Sequence, residues 1–251
     1  MNSTAKAKTQ VEAGLNVNLI RTSHFTMGRR LARGAVAVNG LVAIDGPPGT
    51  GKTTCVRHFA ETVGIPSAII TMAARPAPLE LLRATYRTVT GLEPTGTRYQ
   101  MQHDLLPVLS EWDGVLIVDE CQAAQVQTMQ QLTWLWEESR QQFPIVLVGT
   151  GILTALTRYP QLKSRVMGHT FFQPLTGRTL LDTVRDLDSR FADANTEDLL
   201  HHDRVACHGL LRLWSNTVRW LDSTTVTGTV TAADLNAIAG ILPPPDQEQA
   251  A

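Results

Sequence analysis

Long hydrophobic runs are missing from this 251-residue chain, and several other common signals are scarce. No apolar stretch approaches the ~20 residues that a membrane-spanning helix needs, and the polar N-terminus lacks the apolar core of a signal peptide. The three cysteines stand far apart and form no C-x-x-C pair, which argues against a disulfide framework and a zinc site. The histidines form no H-E-x-x-H pattern. These absences favour a cytoplasmic globular protein with reduced thiols and no membrane partner.

Net charge is also scarce, at −1 for the whole chain, but its distribution is uneven. Residues 1–40 carry six Lys or Arg residues against one Glu, a net charge of +5. We assign residues 1–40 to a basic N-terminal arm or linker. Such an arm can contact nucleic acid or a neighbouring subunit, and a merely solvated lead-in explains its charge equally well.

A phosphate-binding loop is the strongest positive signal. Residues 46–53 read GPPGTGKT, which has the form G-x-x-x-x-G-K-[ST]. A short apolar run precedes the loop and a helical pattern follows it, which is the context in which such a loop binds a nucleoside triphosphate. Backbone N–H groups and the positive end of the helix would contact the phosphates. The predicted nucleotide-binding residues are Gly46, Pro47, Pro48, Gly49, Thr50, Gly51, Lys52, Thr53 and Thr54.

Two of these residues have predicted roles beyond contact with the phosphates. Lys52 would reach the β- and γ-phosphates, and Thr53 would hold Mg²⁺. No metal other than Mg²⁺ is predicted. The absence of an N-K-x-D motif disfavours a GTPase.

An acidic pair, Asp119 and Glu120, ends the apolar run at 115–118. Ligands of open parallel sheets bind at the carboxyl ends of the strands, so we expect this pair beside the phosphate-binding loop. Asp119 is placed to bind Mg²⁺ through water, and Glu120 to orient and deprotonate the water that attacks the γ-phosphate. A carboxylate base at this position favours hydrolysis over nucleotide sensing.

The next apolar run ends in a G-T-G sequence at 149–151. Its Thr150 is a candidate γ-phosphate sensor, because a small polar side chain there would lie beside the attacking water. A left-handed turn followed by a helix cap explains the same three residues.

Five short apolar runs separated by helical segments predict a parallel sheet between two layers of helices. The runs lie at 41–45, 67–72, 115–118, 145–148 and 170–172. A helix at 100–112 is expected to be bent or interrupted at Pro107. Only helical patterns follow residue 176. The predicted fold class is therefore α/β, a three-layer P-loop NTPase core at 41–175 with a small all-helical lid at 176–242 and a disordered tail at 243–251.

Four segments of the chain together resemble AAA+ ATPases of the transposition-regulator type, the TniB, TnsC and MuB proteins, with ExeA-like ATPases as relatives. The segments are GPPGTGKT at 46–53, DECQ at 119–122, VLVGT at 146–150 and YPQLKSR at 159–165. The resemblance covers roughly residues 21–221. The stretch from 149 to 165 carries most of its signal.

The resemblance implies ATP as the nucleotide and roles for two arginines. Arg165 matches the arginine finger that a neighbouring subunit inserts toward the γ-phosphate, where a fixed guanidinium neutralises developing charge. The alternative is a solvated arginine at a helix end. Arg212 lies in CHGLLRL at 207–213, which is similar to the second-sensor motif of the lid, although Leu210 stands where Asn is common.

The resemblance also implies a biological role. Members of this family bind double-stranded DNA without strong sequence preference, assemble ATP-dependent rings or filaments on it and recruit a transposase. We therefore expect an ATP-hydrolysing, oligomerising, DNA-binding regulator of transposition, whose partners are double-stranded DNA, further copies of itself and a transposase. Arg75 and Arg98 lie in the loops that would face DNA, and plain surface arginines are an equal explanation.

Two other functions are compatible with the same motifs. One is an ATPase that acts on a protein machine, as ExeA-like ATPases do. The other is a stand-alone nucleotide switch. Arg165 separates the second alternative from the first expectation, because a switch that acts alone needs no arginine from a neighbour.

Overall fold

The computed structural model describes residues 21–243. The first half of the predicted basic arm and nearly all of the predicted disordered tail lie outside these residues. Within residues 21–243, no helix has both the length and the apolar character required to cross a membrane.

Helices and strands alternate through the first two thirds of the chain, as the apolar runs predict. The elements are α1 (Ser23–Ala37), β1 (Leu41–Asp45), α2 (Lys52–Thr62), β2 (Ser67–Thr71), α3 (Pro78–Thr90), α4 (Arg98–Ser110), β3 (Val115–Asp119), α5 (Val126–Glu138), β4 (Ile145–Val148), α6 (Ile152–Ala155), α7 (Pro160–Lys163) and β5 (Val166–Phe171).

The five strands form one parallel sheet in the order β2-β3-β4-β1-β5. The central strands β1, β3 and β4 are buried along their whole length, which explains why their sequences are continuous apolar runs. β4 lies between β1 and β3, and parallel strands end at the same edge of a sheet. The loops that follow β1, β3 and β4 therefore meet.

Helices cover both faces of this sheet, because neighbouring residues of a strand point to opposite faces. Val42 and Ile44 of β1 pack with Phe25 of α1 and Phe59 of α2 on one face. The alternate residues Leu41 and Ala43 of β1 belong to the cluster that packs with α3, α4 and α5 on the second face. The predicted three-layer α/β fold of a P-loop NTPase is confirmed.

Helix α1 belongs to the folded core, which corrects the assignment of residues 23–37 to an arm. It buries Phe25, Ala32 and Ala35 and packs on α2 and β5. The charge of this segment concealed the helix, since Arg30 and Arg33 lie on its exposed side and three of its four buried residues are small. The boundary of the core expected at residue 41 thus moves to the start of α1.

Helix α4 runs without interruption through Pro107, contrary to a break at that residue. Pro107 is exposed near the end of the helix, so the carbonyl that loses its intrahelical partner can face water. Strand β5 begins earlier than predicted, at Val166. Its exposure alternates along the strand, as is usual at the edge of a sheet, so its first part lacks a continuous apolar run.

A helical region follows the sheet, as predicted, and has its own apolar core. Its helices are α8 (Gly177–Leu187), α9 (Thr196–His202), α10 (Leu211–Asp222) and α11 (Ala232–Ala239). Phe191 and Trp214 meet edge to face at the centre of this core. A π-helical turn at Asp203–Cys207 follows α9, and left-handed His208 and Gly209 then redirect the chain into α10.

Candidate functional site

The loop between β1 and α2 takes a conformation that only glycine adopts without strain at its first position. Gly46 has φ 141°, and a Cβ atom there would stand 2.3 Å from the carbonyl oxygen of Phe172. Gly51, with φ 97°, ends the loop and directs α2 away from it. The loop thus places the free N–H groups at the start of α2 where a phosphate can bind.

Lys52 is the first residue of α2 and points back into the loop. Its Nζ donates to the carbonyl oxygens of Gly46 at 2.6 Å and Pro47 at 2.8 Å, and lies 3.4 Å from Thr150 Oγ1. The same loop is closed by Thr50 Oγ1, which donates to the carbonyl oxygen of Pro47 at 2.8 Å.

The electrostatic environment of Lys52 identifies the charged groups of the site. Burial lowers the pKa of Lys52 from its ordinary value, and the carboxylates of Glu120, Asp45 and Asp119 oppose this shift. Arg212 acts in the same direction as burial. Three acidic and two basic groups therefore surround the phosphate-binding loop.

Thr53 and Asp119 meet across the sheet edge although 66 positions separate them in sequence. Thr53 Oγ1 donates to Asp119 Oδ2 at 2.8 Å. A hydroxyl and a carboxylate beside a phosphate-binding loop are oxygen ligands of the kind that Mg²⁺ uses together with water and phosphate, so this pair fits the ion. Among residues 21–243, His, Cys, Asp and Glu form no cluster of three or more that could hold a metal without such additional ligands.

Glu120 lies at the mouth of the site with an exposed side chain. Its backbone is left-handed, with φ 57°, which turns the chain sharply after β3. Its Oε2 accepts a hydrogen bond of 2.5 Å from Gln122 Nε2.

Thr150 follows β4 and faces Lys52, as the distance between their side chains shows. Its backbone N–H donates to Gln122 Oε1 at 3.0 Å. The turn-and-cap explanation describes the next residue, since Gly151 has φ 66° and precedes α6. The turn-and-cap explanation thus describes Gly151, while the sensor role of Thr150 stays a prediction.

The helical region reaches the phosphate-binding loop through the start of α10. The backbone N–H of Arg212 donates to the carbonyl oxygen of Gly49 at 3.0 Å. A Cβ atom on Gly49 would stand 3.1 Å from Cβ of Arg212. Arg212 thus lies at the site despite Leu210 in its motif.

Arg165 makes no described contact with the phosphate-binding loop of its own chain. Its guanidinium forms an ion pair with Glu137 on α5 and donates to the carbonyl oxygen of Gln161 at 2.7 Å. Arg98 is the first residue of α4 and not a loop residue, and its Nε donates to Gln131 of α5 at 2.9 Å. Arg75 lies in the loop after β2, with φ 55°.

Sequence reasoning overlooked two residues that the structure brings to the site, Asp45 and Gln122. Asp45 is a buried carboxylate immediately before the loop, and Gln122 lies two residues after Glu120. The sequence did offer a signal for Asp45, which is an acidic residue at the end of an otherwise apolar strand. A buried carboxylate requires hydrogen-bond partners, so this position indicated a polar contact.

The family model described as AAA domain matches residues 37–156, from the end of α1 to the turn after α6. No curated protein matches the chain in sequence. Three similar solved structures are as follows. A Walker-type ATPase of Pyrococcus abyssi is 15% identical with a TM-score of 0.60, over 85% of this chain and 70% of that one. Cdc6p from Pyrobaculum aerophilum is 17% identical with a TM-score of 0.63, over 79% of this chain and 60% of that one. The RuvB Holliday junction branch migration motor of Thermotoga maritima is 17% identical with a TM-score of 0.58, over 86% and 68%.

The chain thus spans between 60% and 70% of the length of these structures, and identities this low show the fold alone. The family match, by contrast, is to the sequence and covers the phosphate-binding loop, the acidic pair and the G-T-G turn. The chain therefore matches the AAA domain model over residues 37–156 and has the fold of a P-loop NTPase.

Proposed function

We propose that this protein hydrolyses ATP to ADP and phosphate in a Mg²⁺-dependent reaction. The observation that carries the proposal is the contact of Thr53 with Asp119 beside a buried Lys52. A residue that follows β1 and one that ends β3 are brought together only by the fold, at the place where a phosphate and its metal would bind.

Each residue of the site has one task in this proposal. The backbone N–H groups of the loop and Nζ of Lys52 bind the phosphates, while Thr53 and Asp119 hold Mg²⁺. The ion, when bound, neutralises charge on the phosphate oxygens. Glu120 orients the attacking water and takes its proton on a carboxylate oxygen. Thr150 contacts the γ-phosphate, and Arg212 brings a second positive charge from the helical region.

We further propose that active sites are completed between subunits. Arg165 has partners on α5 and α7 and none in the phosphate-binding loop among the described contacts. A guanidinium near the surface and away from its own nucleotide suits a finger that serves a neighbouring subunit. This supports ATP-dependent self-assembly over a stand-alone switch.

The biological role that we propose is regulation of DNA transposition, by ATP-dependent binding of double-stranded DNA and recruitment of a transposase. Its support is the resemblance at 149–165 to the TniB and TnsC proteins. Among the similar structures, RuvB is a branch migration motor of Holliday junctions. An ATPase that acts on a protein machine remains the competing proposal.

One experiment separates these proposals. Binding of random-sequence duplex DNA is measured with ATP and Mg²⁺, with ADP and without nucleotide, and assembly is followed by electron microscopy of the same samples. The Glu120→Gln variant is designed to block hydrolysis. Glu111→Gln, which changes an exposed acid before the start of β3, is the matched control. DNA binding with ordered oligomers only in ATP supports the transposition role. DNA binding in no nucleotide state contradicts it and favours a protein-directed ATPase.

A further inference from the structure

The loop that follows β4, residues 149–153, is held from two sides by side chains that the proposed chemistry does not use. We call these residues the sensor loop, since they include Thr150. One side chain, Asp45, comes from the end of β1. The other, Gln122, comes from the turn after β3. All three strands end at the same edge of the sheet.

Asp45 binds the phosphate-binding loop and the sensor loop at once. Its Oδ1 accepts from the backbone N–H of Gly46 at 2.6 Å and of Gly151 at 2.7 Å, and its Oδ2 accepts from Leu153 at 3.0 Å. The side chain is buried. Three N–H donors satisfy a carboxylate whose burial would otherwise be costly.

Gln122 joins the sensor loop to Glu120. Its Oε1 accepts from the backbone N–H of Thr150 at 3.0 Å, while its Nε2 donates to Glu120 Oε2 at 2.5 Å. A side-chain amide can accept and donate at the same time, because it carries both an oxygen and an NH₂ group. The fit is tight, because a Cβ atom on Gly149 would stand 2.3 Å from Gln122 Oε1.

We propose that Asp45 and Gln122 are positioning residues that make the sensor loop a rigid bridge between the phosphate-binding loop and Glu120. Asp45 sets the distance from the phosphates to Thr150. Gln122 ties the orientation of Glu120 to that same loop and leaves Glu120 Oε1 for the water. The inference rests on the proposed ATPase function. Contacts of this kind act on the rate, because a misplacement of about 1 Å can cost about 100-fold.

The first test measures steady-state ATP hydrolysis and the binding of a fluorescent ATP analogue for Gln122→Ala, with Gln127→Ala on the exposed side of α5 as control. We expect kcat to fall at least about tenfold for Gln122→Ala while KM and analogue affinity stay within about twofold, since the residue acts on the water side of the site. The control should match the wild type. Equal kcat in all three proteins would overturn the role of Gln122.

Gln122→Glu gives a readout that a merely structural role would not move. Glutamate still accepts from Thr150 but places a second carboxylate beside Glu120. Because two adjacent carboxylates resist sharing negative charge, the acidic limb of the pH–rate profile should move to higher pH. An unchanged limb together with full activity would show that Gln122 does not touch the base during turnover.

Gly149→Ala tests the same contact without altering either partner. The new methyl group should displace Gln122 Oε1 and lower kcat. The double variant Gly149→Ala/Gln122→Ala lacks the obstructed atom, so its kcat should equal that of Gln122→Ala alone. Additive losses in the double variant would contradict the contact.

Asp45 is tested by backbone hydrogen exchange, which needs no turnover. Asp45→Asn replaces one acceptor oxygen by a donor, so the amide that this oxygen bound, that of Gly151 for Oδ1 or that of Leu153 for Oδ2, should exchange at least about tenfold faster, with Asp113→Asn as the exposed control. Unchanged exchange overturns the role of Asp45. If the wild type hydrolyses no ATP, the proposed function fails separately, while wild-type hydrolysis with unaffected variants refutes only the positioning roles.

Discussion

Lys52 shows how one residue acquires its function from its surroundings. It is almost fully buried, yet three carboxylates and two carbonyl oxygens keep a positive charge acceptable at the centre of the site. A bound phosphate would take the place of these carbonyl oxygens as the hydrogen-bond partner of Lys52 Nζ, and the side chain would stay buried.

Removal of the Lys52 charge should therefore abolish nucleotide binding. For Lys52→Ala we expect ATP affinity to fall at least about 100-fold, because a charge-assisted contact in a desolvated site is lost. Isothermal titration with ATP and Mg²⁺ measures the effect. Lys163→Ala, an exposed lysine of α7, should bind ATP like the wild type, and retained affinity in Lys52→Ala would contradict the assigned site.

His202 in the helical region makes stability depend on pH. It is buried, its Nε2 lies 3.0 Å from Thr217 Oγ1, and burial lowers its pKa to about 4. The unfolded chain binds a proton at pH values below about 6.5, whereas the folded chain does not until pH nears 4. The stability that a neutral His202 provides is therefore complete above pH 6.5 and is lost as the pH falls toward 4.

The expected loss is about 3 kcal/mol over that interval, from a difference of about 2.5 pKa units. Urea unfolding at a series of pH values checks it. His202→Gln should flatten the profile between pH 6.5 and 4, whereas His201→Gln, its exposed neighbour and a lesser cause of the shift than burial, should change it far less. Parallel profiles for wild type and His202→Gln would show that other groups cause the acid sensitivity.

At the level of elements, buried strands were predictable and the first helix was not. β1, β3 and β4 are covered on both faces, so their sequences read as unbroken apolar runs. α1 buries one aromatic residue and two alanines beneath exposed arginines, and its charge dominated the pattern. Edge strand β5 alternates between half-buried and exposed residues, so the sequence of its first half did not indicate a strand.

If α1 is part of the core, truncation of its anchor should destabilise the whole protein. Phe25→Ala is expected to cost about 3–5 kcal/mol of unfolding free energy, as large-to-small changes of buried aromatic residues do. Met27→Ala, half exposed on the same helix, should cost less than about 1 kcal/mol. Chemical denaturation measures both. If both variants lose equally little unfolding free energy, residues 23–37 are not part of the folded core.

Some residues of the candidate site could be predicted from short sequence motifs, whereas others reach the site only through the fold. The phosphate-binding loop and the acidic pair are contiguous in sequence, so short motifs indicate them. Asp45 and Gln122 act on a loop more than 25 positions away, and only the order of β1, β4 and β3 in the sheet brings them to it. No local pattern encodes such a contact.

For the whole molecule, the proposed finger predicts complementation between inactive subunits. Arg165→Ala retains an intact phosphate-binding loop, and Glu120→Gln retains an intact finger. Each variant alone should be inactive, while an equimolar mixture should recover up to about a quarter of wild-type hydrolysis, because about one interface in four pairs the two intact halves.

Two further variants separate this role from a structural one. Arg158→Ala, an exposed arginine before α7, should hydrolyse ATP normally. Glu137→Gln breaks the ion pair of Arg165 and keeps the guanidinium, so activity should remain. No recovery in the mixture, with both controls active, would mean that Arg165 serves its own subunit or none.

The hydrogen bonds of Asp45 and Gln122 to the sensor loop have a consequence for how the sequence of this chain can change in evolution. Both side chains hold backbone N–H groups, which every residue except proline supplies. The side chain at 153 can therefore vary while the placement of the loop persists, whereas a side chain at 149 would meet Gln122 and a proline at 150, 151 or 153 would remove a bound N–H. We therefore expect related sequences to keep Asp45 and Gln122 while the side chain at 153 varies.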